Sequence, residues 1–224
     1  MQKMTDNKRL FGLDGVNIKG AIFDLDGVLV DTARYHYLAW KRLAGELGFD
    51  FTEDDNERLK GVSRLRSLEI LLETGNVIMT ESQKEDAAAR KNGWYVEYLY
   101  TLDETALLPG AKEYLLRLKE NNIRIALGSA SKNAPLILER LNIAAFFDAV
   151  IDGNSVSKTK PNPEVFLKGA AAMGLAPEHC VVFEDALAGI EAAKSGGMRA
   201  IAVGKAELLP GADLYIASLQ DMLF

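Results

Sequence analysis

The alternation of apolar and polar positions changes character twice along the chain. Residues 21–23 are a short apolar run, Ala-Ile-Phe, that stops at Asp24, and Gly27 breaks the chain shortly afterwards. Such a run reads as a buried strand closed by a turn. From Thr32 the period becomes helical. Tyr35, Leu38, Ala39, Leu43 and Leu47 recur at helical spacing, with Thr32 placed to cap the segment and Gly48 to end it. From there to about position 103 helix formers dominate, most strongly over 58–73 and 81–100, and no proline precedes Pro109.

Beyond Pro109 the pattern alternates. Helices are predicted over 110–120, 134–141, 163–173 and 189–194, and strands over 123–129, 148–153, 180–185, 199–204 and 213–217. Strands alternating with helices predict an α/β domain with a mostly parallel sheet, whose functional groups belong at the carboxyl ends of the strands. The helical block interrupts that domain after its first strand, a position that suits a lid. The expected organisation is a core domain of 1–31 and 106–224, with 1–19 as a loose N-terminal extension, and an inserted helical cap domain of 32–105.

Composition narrows the partners. The 224 residues are 48% hydrophobic and 26% charged, with a net charge of −6, so no basic field exists for nucleic acid or an anionic membrane. An anionic substrate must then be drawn in by a locally positive site. Cys180 is the sole cysteine, which forbids an intramolecular disulfide and points to a reducing compartment. No apolar run has bilayer length and the first residues lack a hydrophobic signal core, so a cytoplasmic protein is expected, a monomer in the absence of any obvious assembly segment.

The polar residues at strand ends carry the chemistry. Asp24 and Asp26 leave one side of an extended chain together and repel each other unless a cation or a proton relieves them. Taken alone, this pair fits a plain polar turn equally well. Glu184 and Asp185 close another apolar strand and add a second acidic pair. An oxygen-rich cluster without a histidine or cysteine set suits Mg²⁺. Ser129 follows the strand over 123–129 and opens Ser-Ala-Ser-Lys-Asn, which leads into a helix whose amides favour an anion. Lys160 precedes Asn162 and Pro163, read as a cap and a first helical residue that would fix its ammonium near the strand edge. Each has a structural reading by itself: N-cap, solvated loop charge, polar strand end. Together they supply the nucleophile, ligands, hydroxyl and cation that phosphoryl transfer needs.

The segment 24–32 (DLDGVLVDT), Ser129, Lys160 and Glu184-Asp185 resemble, in order and separation, the four motifs of the haloacid dehalogenase superfamily. The resemblance implies a Rossmann-like parallel-sheet core with an inserted α-helical cap. It implies Asp24 as a nucleophile that becomes an aspartyl phosphate and Asp26 as general acid/base. Mg²⁺ would be held by Asp24, the backbone carbonyl of Asp26, and Asp185, with Glu184 acting as a further ligand or through water. Ser129 and Lys160 would hold the transferring phosphate. Segments 31–48, 59–72, 90–92 and 129–133 look like the β-phosphoglucomutase branch. There the counterpart of Arg64 grips the distal phosphate, helped by those of Ser131, Lys132 and Asn133. Thr32, His36 and Lys91 match residues that couple cap closure to the general acid, and Trp40 matches one near the substrate. His179 and Cys180 match nothing functional. Ala186 stands where serine often follows the acidic pair, and Gly128 where alanine is common before Ser129. The implied activity is interconversion of β-D-glucose 1-phosphate and glucose 6-phosphate through a bisphosphate. The rivals are a sugar-phosphate phosphatase and an inactive phosphosugar-binding regulator.

Overall fold

The computed structural model describes residues 8–59 and 63–224. Among them are six strands: β1 (Gly20–Phe23), β2 (Arg124–Gly128), β3 (Ala149–Ile151), β4 (Cys180–Glu184), β5 (Arg199–Val203) and β6 (Leu214–Ile216). They form one sheet in the order β3-β2-β1-β4-β5-β6, and each pair of neighbours is parallel. The sheet is thus the α/β architecture that the alternating pattern predicts.

Parallel strands covered on both faces read as continuous apolar runs, and β1 and β4 are buried at every position. Successive side chains go to opposite faces. Ile22, Ala126, Val182 and Ala200 pack with Phe166, Ala170, Ile190 and Ala193. Their neighbours Phe23 and Phe183 stack with centroids 4.6 Å apart, and Tyr114 meets both rings edge-on. Full burial of each such ring contributes roughly 1.5–3 kcal/mol. Register follows from this packing: Phe23 lies beside Leu127 on one flank and Phe183 on the other. The residues that follow β1, β2 and β4 therefore emerge close together at one edge.

The chain divides into two compact units, Thr32–Leu102 and the segments on either side of it. The inserted unit contains the helices Ala33–Glu46, Glu53–Glu57, Arg64–Gly75 and Glu81–Leu99. Of the helix expected over 58–73, the described part is the helix that begins at Arg64: Arg58 is the C-cap of the preceding helix Glu53–Glu57, and the Ser63 hydroxyl accepts from the Arg66 amide to start the next. Residues 60–62 of that prediction lie outside the described residues. Thr52 and Thr80 close capping boxes with Asp55 and Gln83. Thr32 stands at a cap position without a side-chain cap, and its hydroxyl accepts from the Tyr95 hydroxyl at 3.2 Å.

The segment before β1 also differs from expectation. Residues 8–11 are helical, and Leu10, Phe11, Leu13 and Ile18 are buried. The Tyr114 hydroxyl donates to the Leu10 carbonyl at 2.6 Å and Arg117 to that of Arg9 at 3.2 Å. The described part of the extension is a packed element; positions 1–7 lie outside the described residues.

Candidate active site

At the carboxyl edge of the sheet, Asp24 follows β1 and its amide donates to the Phe183 carbonyl, which locks it beside the end of β4. Glu184 ends β4 and Asp185 follows. Asp24, Glu184 and Asp185 each place a carboxylate oxygen within 4.8 Å of the others. Three clustered carboxylates in a site where Asp24 and Glu184 are buried need positive charge. Lys160 supplies part of it: its Nζ donates to Asp24 Oδ1 at 2.5 Å and to Glu184 Oε2 at 2.8 Å, with its side chain only 5% exposed.

Burial would lower the Lys160 pKa, but the charges of Asp24 and Glu184 outweigh it and raise it, so the ammonium is permanent at neutral pH. Glu184 is pushed up to about 8, first by burial and then by the charges of Asp24 and Asp185, with Lys160 opposing. A divalent cation among these oxygens would reverse that push. The donor set therefore fits a hard, oxygen-ligated metal ion.

Close contacts make the cluster possible. Gly27 has φ +76°, and a Cβ there would fall 2.0 Å from Asp185 Oδ2. Gly189, in the helix Leu187–Ser195, passes so near Glu184 that a Cβ would lie 2.0 Å from its carboxyl carbon. The Ala186 amide donates to Glu184 Oε1 at 3.2 Å, a contact that needs no serine side chain. Gly128 has an equally direct reason: Phe166 fills the space a methyl would take, and Lys160 Nζ lies 4.8 Å from the centroid of that ring.

The loop before Lys160 is pinned from below. Glu164 accepts from the amides of Ser157 and Lys158 and from the Ser157 hydroxyl. Lys168, followed by these Ser157 and Lys158 donors, holds Glu164 down to about 2. Asn162 Oδ1 accepts from the Glu164 amide, but the helix starts at Glu164, so Pro163 is the cap residue and not the first helical one. Ser129, buried after β2, accepts at Oγ from the Ser131 amide, and Ser131 Oγ accepts from the Asn133 amide. Asn133 precedes the helix Ala134–Arg140 without capping it. Lys132 is exposed, while Ser131 and Asn133 are half-buried. Asp26 is half-buried and pairs with Val30 in an isolated bridge; its side chain is not part of the three-carboxylate group.

The inserted unit assembles a second cluster. Buried Lys91 donates to His36 Nδ1 at 2.9 Å and lies over the rings of Trp40 (4.5 Å) and Tyr95 (4.8 Å). Tyr95 stacks on His36 with centroids 4.0 Å apart and binds Thr32 through its hydroxyl. Burial, then the charges of Lys91 and Arg64, hold the His36 pKa well below 6.5. The ring is thus neutral, and acceptance at Nδ1 leaves its proton on Nε2. Arg64, half-buried, is near enough for its charge to act on both His36 and Tyr95. Tyr95 and Phe166 belong to these clusters and were not singled out by the sequence; the one available signal is that Tyr95 lies one helical turn after Lys91. His179 Nδ1 bonds the Asn17 carbonyl, and burial raises the Cys180 thiol to about 11, as structural residues require.

Comparison with known proteins fits this geometry. The profile of haloacid dehalogenase-like hydrolases matches residues 18–197. The chain belongs to that family. This haloacid dehalogenase-like chain is 45% identical to the Bacillus subtilis protein named beta-phosphoglucomutase, over 92% of each chain. It is 34% identical to a phosphorylated carbohydrates phosphatase of Thermotoga maritima, over 82% of this chain and 84% of that one. A crystal structure of beta-phosphoglucomutase from Clostridium difficile superposes with a TM-score of 0.86 at 42% identity, covering 91% of this chain and 92% of the other. Among the described residues, no helix of this family member is long and apolar enough to cross a membrane.

Proposed function

We propose that this chain is a Mg²⁺-dependent β-phosphoglucomutase of the cytoplasm, interconverting β-D-glucose 1-phosphate and glucose 6-phosphate through β-glucose 1,6-bisphosphate. The observation that carries a phosphoryl-transfer reading is the meeting of Asp24, Lys160, Glu184 and Asp185 at adjacent strand ends. The 45% identity to a protein of that name favours the mutase over a hydrolase.

In this reading Asp24 attacks the phosphorus of the bisphosphate, its carboxylate oxygen forming the new P–O bond as the sugar oxygen leaves. Asp26 protonates the leaving oxygen and takes a proton from the accepting hydroxyl in the reverse step. Asp24, the Asp26 carbonyl, Asp185 and Glu184 would hold Mg²⁺, which when bound offsets charge on the transferring phosphoryl group. Lys160 contributes a fixed positive charge at the same group, and Ser129, whose Oγ already accepts from an amide, has its hydroxyl hydrogen to donate to a phosphate oxygen. Arg64, Ser131, Lys132 and Asn133 bind the phosphate that is not being transferred. Both orientations of the sugar must fit, so this second grip is a mechanistic requirement. Thr32, His36, Lys91 and Trp40 tune the inserted unit.

A sugar-phosphate phosphatase would use the same strand-end residues, and the Thermotoga relative carries such a name. The two are separated by supplying β-glucose 1-phosphate, trace bisphosphate and Mg²⁺. Glucose 6-phosphate should form far faster than inorganic phosphate. The opposite ratio makes the chain a hydrolase, and no turnover of either kind overturns the enzymatic reading.

A further inference from the structure

The turn at 152–155 has no part in the chemistry above, yet it holds the 129–133 loop in place. Asp152 follows β3 and is 7% exposed. Its carboxylate accepts from the amides of Asn154 (3.0 Å) and Ser155 (3.1 Å), from the Ser155 hydroxyl (2.8 Å) and from Asn154 Nδ2 (2.9 Å). Burial would raise the Asp152 pKa, but these donors outweigh it and keep the carboxylate ionised. The turn is therefore stiff, with its acceptor saturated.

Two donors then reach from this turn to the neighbouring loop. The Gly153 amide donates to the Ser131 carbonyl and Asn154 Nδ2 to the Lys132 carbonyl, each at 3.2 Å. The Ser129 amide closes the other side on the Ile151 carbonyl at 3.0 Å. No side chain fits at Gly153, because a Cβ would lie 2.2 Å from the Ala130 carbonyl oxygen. Two backbones thus run in direct contact, and the carbonyls that one presents fix the direction of the side chains between them.

We infer that Gly153 and Asn154 are positioning residues for the phosphate grip: by holding the Ser131 and Lys132 carbonyls they aim Ser131, Lys132 and Asn133 at the phosphate that is not being transferred. This rests on the phosphomutase reading. Asp24 and Lys160 are held by other contacts, and only Ser129 of the reacting half shares the loop, so a donor with no second phosphate should sense their loss less than the bisphosphate does.

The test compares Gly153→Ala and Asn154→Ala with the unaltered enzyme in three measurements. These are KM and kcat for the sugar bisphosphate, the rate of Asp24 phosphorylation by acetyl phosphate, and the melting temperature. Asn154→Ala, which removes the two hydrogen bonds of Nδ2, should raise KM about threefold, and Gly153→Ala, whose methyl displaces the braced loop, about tenfold. In both, kcat should stay within about twofold, and the acetyl phosphate rate, which senses the loop only through Ser129, should fall by less than the bisphosphate KM rises. Unchanged KM in both variants overturns the inference, as does an equal loss with acetyl phosphate, which marks a general collapse of the edge. Should Gly153→Ala fail to fold, Asn154→Ala carries the test alone. If the unaltered enzyme releases phosphate without isomerising, the phosphomutase reading fails by itself. The brace is then still read from the variants' KM for the hydrolysed bisphosphate.

Discussion

The two units of this chain solve the problem of buried charge in opposite ways. At the sheet edge Asp24, Glu184 and Asp185 are crowded together, and the Lys160 ammonium is fixed to the first two by salt bridges. In the inserted unit a cation, Lys91, is buried among aromatic faces and an imidazole. The first is a charge-dense site, where a permanent ammonium touches a carboxyl group pushed up to about 8. The second is a packed cluster, where the rings of Trp40 and Tyr95 and a neutral histidine line a buried ammonium. In the proposed reading the reacting groups belong to one unit, and Arg64, which shares the grip on the second phosphate with Ser131, Lys132 and Asn133, belongs to the other, a division that can be attacked experimentally.

The largest expected effect is on the reacting atom. Asp24→Asn should lower mutase turnover and acetyl phosphate consumption together by at least about 10³-fold, since removing a nucleophile disables the whole catalytic unit. Mass spectrometry of the unaltered enzyme under turnover should find an acyl phosphate at Asp24. If it finds none, or if Asp24→Asn retains full turnover, the sheet edge is not the reacting half.

Next in size is Arg64→Ala. It should lower mutase kcat/KM by about 10²-fold, the scale of lost substrate positioning, while acetyl phosphate still phosphorylates Asp24. Equal loss of both activities would erase the division between the units. A smaller and different effect is expected of Gly189→Ala, whose methyl must displace the Glu184 carboxylate. The Mg²⁺ concentration giving half-maximal activity should rise about tenfold or more, with little change in the saturated rate. A metal titration of activity checks it, and an unchanged midpoint would remove Glu184 from the ligand set.

The same contrast explains what could be read from the sequence. Strand-end residues were legible because each is marked locally: an apolar run, then a carboxylate, hydroxyl or lysine, with parallel register doing the rest. Lys160 was read from its place before Asn162 and Pro163, although the helix begins one residue later than that pattern suggests. The aromatic cage was not legible as a cage. His36 and Lys91 are 55 positions apart and Thr32 and Tyr95 are 63, and only its place one helical turn after Lys91 distinguishes Tyr95 from an ordinary core residue of a long helix. Asp152 was hidden for another reason: Asp-Gly-Asn-Ser after an apolar run reads as the end of a strand, and only the fold shows which loop the turn supports. The packing of Leu10, Phe11, Leu13 and Ile18 is not legible because these apolar positions are too few to set a period.

The smallest effect concerns the cage alone. His36 is neutral in the folded chain because burial, Lys91 and Arg64 all disfavour its charge, whereas in the unfolded chain it titrates near 6.5. Above that pH both states hold a neutral ring and no stability is lost. As pH falls below 6.5 the unfolded chain takes up a proton that the folded chain refuses, so stability declines until the folded pKa is reached. The loss is about 1.4 kcal/mol for each unit by which the folded value lies below 6.5. Melting temperatures taken between pH 7.5 and 5 should therefore fall more steeply in the unaltered chain than in His36→Gln. Lys91→Met should lie between them, since it removes one of the two cations but leaves the burial. Parallel curves for all three would mean that His36 is solvated, and the inserted unit would then hold its lysine by some means other than a neutral imidazole and two rings.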